Sequence, residues 1–127
     1  MAICAAMSVT VFHYSKCSTC RQAIKWLNEH EIDYQKTDLV AQPPTAATLK
    51  DLLQRSGLPV TKLFNTSGES YRTGNFKAKL MGMSEAQALA ALAKDGKLIK
   101  RPILDTGRTV VVGFDEKAYT ASTRPKK

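Results

Sequence analysis

The sequence predicts an α/β domain on a mixed four-stranded sheet, with elements in the order β-α-β, a helical stretch, then β-β-α. Three observations carry this reading. Residues 8–14 form a short β-branched and aromatic run that reads as a buried strand. Residues 18–30 follow at helical spacing, with Cys20, Ala23, Ile24 and Leu27 on one face. Near the C-terminus, runs at 98–104 and 109–114 flank Asp105-Thr106-Gly107-Arg108, a glycine-bearing turn that reads as a hairpin.

The remaining elements follow in order. Residues 32–39 alternate as a second strand, so the first three elements make a βαβ unit with parallel strands. Strand one should be central, because Val9-Thr10-Val11-Phe12 looks buried on both faces. Gln42-Pro43-Pro44-Thr45 is a turn that opens a helix with Leu49, Leu52 and Leu53 as its stripe, and Gly57 stops it. Val60, Leu63 and Phe64 suggest a short helix, and Asn65-Thr66-Ser67-Gly68 a turn. Phe76 and Leu80 mark another helical turn or two. Ser84-Glu85-Ala86-Gln87 is a capping-box pattern for an Ala/Leu helix that Asp95-Gly96 closes. Asp115 can cap a last helix through Ala118 and Tyr119.

The chain has 127 residues, enough for one domain with a core of its own. We expect a single domain at 8–120 with a helical insertion at about 44–96, an N-terminal appendage at 1–7 and a basic tail at 121–127. Met7 offers an alternative start. No apolar run reaches membrane-spanning length, and the leader lacks the basic and apolar regions of a signal peptide. A cytoplasmic protein is the expectation, with no membrane partner. The formal charge of +8 is concentrated toward the C-terminus. It suits an acidic partner or only a solvated surface, and direct nucleic-acid binding is not expected.

Three cysteines cannot build a paired disulfide framework. Only His13 and His30 could supplement them, at no zinc-finger spacing, so no metal site is expected. Two of the cysteines form Cys17-Ser18-Thr19-Cys20 at the first strand-to-helix turn. There, helix N–H groups and the macrodipole favour a Cys17 thiolate. Arg21 and Lys16 add positive potential, and His13, four residues upstream, could tune the thiolate across the turn. Cys20 is one helical turn on, within reach as a resolving thiol. The alternative is a pair of buried cysteines that only pack. In Lys100-Arg101-Pro102-Ile103, the X-Pro bond is a candidate cis peptide that would aim Arg101 at an anion or thiolate. The plainer reading is a surface arginine before an edge proline.

These residues carry a resemblance. The run His13-Tyr14-Ser15-Lys16-Cys17-Ser18-Thr19-Cys20-Arg21, then Leu98-Ile99-Lys100-Arg101-Pro102-Ile103-Leu104 and Val112-Gly113-Phe114, resembles the arsenate reductase-like family. It is most similar to the Spx/MgsR branch and its uncharacterised relatives. Gln42-Pro43-Pro44, Ser56-Gly57-Leu58, Phe64-Asn65-Thr66-Ser67-Gly68 and Tyr71-Arg72 extend the likeness over residues 8–120.

The resemblance implies a thioredoxin-like fold with a helical insertion. It implies a catalytic role for Cys17, beside which the spacing sets Cys20 as catalytic resolving thiol, and matching catalytic roles for Arg21 and Arg101, with Pro102 as a cis-proline near the site. His13 matches a histidine of the glutaredoxin-linked reductases that the Spx group generally lacks. Those reductases carry a serine-type residue at the position of Cys20. They also bring arginines from the insertion and the last strand, where this chain reads Val60-Thr61-Lys62-Leu63-Phe64-Asn65 and Val112-Gly113-Phe114. Each charge-assisted hydrogen bond lost from an oxyanion is worth roughly 1.5–3 kcal/mol.

Three functions follow as expectations. The first is a thiol–disulfide redox protein without cofactor, reduced by glutathione/glutaredoxin or thioredoxin. The second is an Spx-like redox-sensing regulator docking on the α-subunit of RNA polymerase. The third is a glutaredoxin-dependent arsenate reductase.

Overall fold

A computed structural model of the protein describes residues 9–14, 16–66 and 68–123. Strand β1 (Thr10–His13) leads into α1 (Ser18–Glu29) and β2 (Gln35–Asp38). Helices α2 (Ala46–Ser56), α3 (Glu69–Thr73), α4 (Phe76–Lys79) and α5 (Glu85–Lys94) follow, with 3-10 turns at Val60–Leu63, Leu80–Gly82 and Gly96–Leu98. Strands β3 (Ile103–Asp105) and β4 (Val110–Val112) and helix α6 (Glu116–Thr123) complete the order. The sheet order is β2-β1-β3-β4, so β1 is interior, as its apolar run predicts.

The sheet is mixed. β3 pairs antiparallel with β1 and with β4, while the α1 crossover brings β2 back beside β1. The Gln35 N–H donates to the Val9 carbonyl across that second seam at 2.9 Å. Element order and sheet together are thioredoxin-like. The strands are shorter than their apolar runs, and residue 8 lies outside the described residues.

The expected strand at 98–104 divides. Pro102 has no N–H to give a ladder. The segment before it pairs instead with residues 63–65. Lys100 N–H donates to Leu63 O at 2.6 Å, Asn65 N–H donates to Leu98 O at 2.7 Å, and Ile99 bridges Phe64. Only Ile103–Asp105 joins the sheet. The 103–112 hairpin turns through Thr106–Thr109, with Gly107 at φ 91° and Thr106 N–H donating to Thr109 O at 3.0 Å.

The chain forms two compact units. One comprises the described residues up to Thr37 and from Arg101 onward; the other is Asp38–Lys100, wider at both ends than the expected insertion. In the first, Val11, Ala23, Trp26, Leu27, Leu104 and Tyr119 pack one core between α1, the sheet and α6. Tyr119 stands edge-on to Trp26 and Phe114, and its hydroxyl donates to Gly113 O at 2.9 Å. Asp115 caps α6, its carboxylate accepting from the Lys117 N–H at 3.0 Å. The helix reaches Thr123, so residues 121–123, expected in the tail, are helical.

In the second unit α2 packs on α5. Thr45 and Ser84 cap these helices, Ser84 through a full capping box with Gln87, and Gly57 ends α2 at φ 73°. Phe64, Tyr71 and Phe76 form an aromatic cluster around α3 and α4. α3 carries no periodic stripe that would mark it in the sequence.

The Tyr119–Gly113 bond is buried, so its loss leaves a carbonyl unsatisfied. Tyr119→Phe should lower unfolding free energy by about 1–2 kcal/mol, read as a lower urea midpoint at unchanged slope. An unchanged midpoint would mean that the hydroxyl contributes nothing.

Candidate redox site

Cys17 occupies the N-cap of α1 in extended backbone, at φ −103° and ψ 117°. A cap residue offers a side-chain acceptor to the orphan N–H groups of the first turn. Here the acceptor is sulfur: the Cys20 N–H donates to Cys17 Sγ at 3.3 Å. The loop into the helix is closed by Cys17 N–H donating to Tyr14 O at 3.0 Å, and the first helical bond runs from Arg21 N–H to Cys17 O. No acidic side chain occupies the first turn, so no carboxylate of that turn competes with the thiolate for those amides.

The two sulfurs sit in different surroundings. Cys17 is half-buried, whereas Cys20 is 1 % exposed on the inner face of α1. Both are free thiols. Burial works against the Cys17 thiolate. Hydrogen bonding to Cys20 and the charge and hydrogen bond of Arg101 outweigh it, and hold the Cys17 pKa below its ordinary 9.0. Burial first, then the hydrogen bond with Cys17, push Cys20 up to about 12; the Tyr14 backbone opposes them, and the charges of Cys17 and Arg101 act in opposite directions with less effect. Buried Tyr119 is also pushed up, by desolvation first and then by the charge of Cys20.

The Arg101–Pro102 bond is cis, and Pro102 is buried at the start of β3. Gly113 N–H donates to Pro102 O at 2.7 Å, so the β4 end holds the backbone that carries Arg101. The Arg101 guanidinium lies over the Tyr14 ring, 4.9 Å from its centroid. Cys17, Cys20, Arg101 and Pro102 are thus brought to one end of the sheet. Tyr14 belongs with them. In the sequence it stands only as part of the motif, because an aromatic residue at a strand end reads equally well as packing.

Arg21 and His13 flank this group rather than Cys17 itself. With Tyr14, Cys20, Lys25 and Lys36 they line a cleft of about 440 Å³ alongside α1 that does not include Cys17. The groups that lower the Cys17 pKa are Cys20 and Arg101, and Lys16 is exposed. Among the described residues, no cluster of three or more His, Cys, Asp or Glu could hold a metal. No helix there is long and apolar enough to cross a membrane.

The ring under Arg101 makes a measurable claim. In a Cys20→Ala background, Tyr14→Leu should raise the pH midpoint of Cys17 alkylation by up to about 0.5, the worth of an exposed cation–π contact. Tyr14→Phe, which keeps the ring face, should leave the midpoint in place. Equal midpoints for leucine and phenylalanine would contradict the contact.

Comparison with known proteins places this geometry. The ArsC family model matches residues 12–122. The protein YusI of Bacillus subtilis is 49 % identical over 113 residues, covering 89 % of this chain and 96 % of that protein. The regulatory protein MgsR of Bacillus subtilis is 27 % identical over 107 residues, 84 % of this chain and 83 % of its own. The crystal structure of an ArsC family related protein from Bacteroides fragilis superposes with a TM-score of 0.88 at 43 % identity, covering 92 % of this chain and 98 % of that one. The match spans nearly the whole chain in sequence and in fold, and the chain belongs to the ArsC family.

Proposed function

We propose that the protein is a thiol–disulfide redox protein in which Cys17 is the nucleophile and Cys20 the resolving thiol. The observation that carries this reading is the hydrogen bond from the Cys20 amide to Cys17 Sγ beside Arg101. It supports a thiolate at the half-exposed sulfur and a neutral thiol at the buried one.

The chemistry balances without a cofactor. The Cys17 thiolate attacks one sulfur of an external disulfide, forming a mixed disulfide and releasing the other sulfur as thiolate. Cys20 then loses its proton and attacks Cys17 Sγ. The Cys17–Cys20 bond forms, and the substrate leaves as its second thiol. The external disulfide is reduced by two electrons and the protein dithiol is oxidised by two. An external thiol, of the glutathione/glutaredoxin or thioredoxin kind, returns the protein to its starting state. Such a cycle suits the cytoplasm, where a reducing pool keeps both thiols free.

A second reading has a specific observation behind it. The likeness to a protein named as regulatory extends over most of both chains. In that reading the same dithiol senses oxidants, and the Asp38–Lys100 unit docks on RNA polymerase through its α-subunit. Binding of the reduced protein to the isolated carboxy-terminal domain of polymerase α supports it. Arsenate reduction is the weakest of the three. Residues 60–65 contribute Lys62 and no arginine, and β4 contributes none.

Trapping decides the roles. In Cys20→Ser protein, Cys17 should accumulate mixed disulfides with substrates, identified by mass spectrometry. The Cys17→Ser protein should accumulate none. Adducts on Cys20 in Cys17→Ser at comparable yield would overturn the assignment of nucleophile and resolver.

A further inference from the structure

Tyr119 carries a hydroxyl into a core that needs only its ring. Trp26 and Phe114 stand edge-on to that ring, and phenylalanine would serve both contacts equally well. We propose that Tyr119 is a positioning residue for the thiol chemistry, its hydroxyl holding Arg101 at Cys17 through the backbone of Gly113 and Pro102. This deepens the dithiol reading above and rests on it, since the place of Arg101 matters only where Cys17 reacts as a thiolate.

The path consists of two hydrogen bonds and one strand end. The Tyr119 hydroxyl donates to Gly113 O at 2.9 Å, and Gly113 N–H donates to Pro102 O at 2.7 Å. The second bond continues the β3–β4 ladder one residue past the Ile103–Val112 pair. Pro102 has no N–H, so its carbonyl is the backbone group by which residue 102 is tied. Arg101 is the preceding residue, and its guanidinium acts on the Cys17 sulfur by charge and by a hydrogen bond.

Gly113 is where the tie has to be made. At φ 92° it lies in the left-handed region, with its N–H given to β3 and its carbonyl to α6. Glycine has little conformational preference of its own, so its partners must fix it. On the α6 side the partner is Tyr119, whose own N–H donates to Asp115 O at 2.9 Å in the first turn. Burial, and then the charge of Cys20, raise the Tyr119 pKa, so the hydroxyl stays a donor throughout the range in which Cys17 ionises.

The thiolate is sensitive to that placement. A cation within roughly 4–6 Å of an anion shifts its pKa by about 1–3, and the benefit falls as the separation grows. A looser Gly113 therefore costs Cys17 reactivity without touching either sulfur.

The experiment follows alkylation of the reduced full-length protein across pH, read at Cys17 by mass spectrometry. Each variant is compared in its native state, established from its urea transition. Tyr119→Phe should raise the Cys17 midpoint by about 0.5, part of what a nearby cation supplies. Thr123→Val is the control for helix stability, because it removes another buried hydroxyl bond of α6, from Thr123 to Tyr119 O at 2.7 Å. It should leave the midpoint in place. Arg101→Leu should raise the midpoint by itself, and adding Tyr119→Phe should move it no further. An unmoved midpoint in Tyr119→Phe, an equal shift in Thr123→Val, or a Tyr119→Phe shift that persists without Arg101 would overturn the positioning role. Each of these leaves the dithiol reading standing. A wild-type midpoint at or above the ordinary 9.0 would overturn both.

Discussion

A single hydrogen bond, from the Cys20 amide to the Cys17 sulfur, organises the rest of the site. It makes Cys17 the cap of α1, and a cap must accept from the helix N–H groups. A thiolate accepts more strongly than a thiol, so the demand of the helix end for an acceptor becomes a preference for the ionised sulfur. The same bond fixes Cys20 as the third residue of the first turn, which turns its side chain inward. One constraint thereby separates two chemically identical thiols, leaving one half-exposed and favoured as thiolate and the other buried and held neutral.

The opposite wall of the site depends on the hairpin. Arg101 is delivered by backbone that Gly113 ties down, and Gly113 in turn accepts from the buried Tyr119 hydroxyl. Tyr119 is anchored in the core by Trp26 and Phe114, and its helix is capped by Asp115. The aromatic core of α6 therefore reaches the cation beside Cys17 through two hydrogen bonds and one strand end. Tyr14, just after β1, completes the arrangement, offering its ring to Arg101 and its carbonyl to the Cys17 amide. Residues from both halves of the sheet thus meet at one thiol.

Much of this was legible in the sequence. Local signals with a strong physical cause survive in the structure. They include the interior β1 run, the Thr45 and Ser84 caps, the left-handed Gly57, the Gly107 turn and the Asp115 cap. Cys17 and Cys20 stood out because a helix start and a one-turn spacing are both visible in a string of residues. What could not be read depends on contacts distant in sequence. Residues 98–100 are as apolar as a strand, yet they pair with 63–65 rather than with the sheet, and no periodicity reveals a partner. His13 and Arg21 are close to Cys17 in sequence, yet both line the cleft along α1, whose walls do not include Cys17. Tyr14 was invisible as a supporting residue for the converse reason, since its partner is 87 positions away.

Membership of the ArsC family sets the frame, but the chemistry of this chain follows from the unequal environments of its two sulfurs. The most direct measurement is a site-resolved titration of the reduced wild-type protein, following the Cβ resonances of Cys17 and Cys20 by NMR. The account predicts two well-separated transitions, Cys17 below the ordinary thiol value and Cys20 far above it. Transitions that coincide near an ordinary thiol pKa, or that occur in the reverse order, would contradict it.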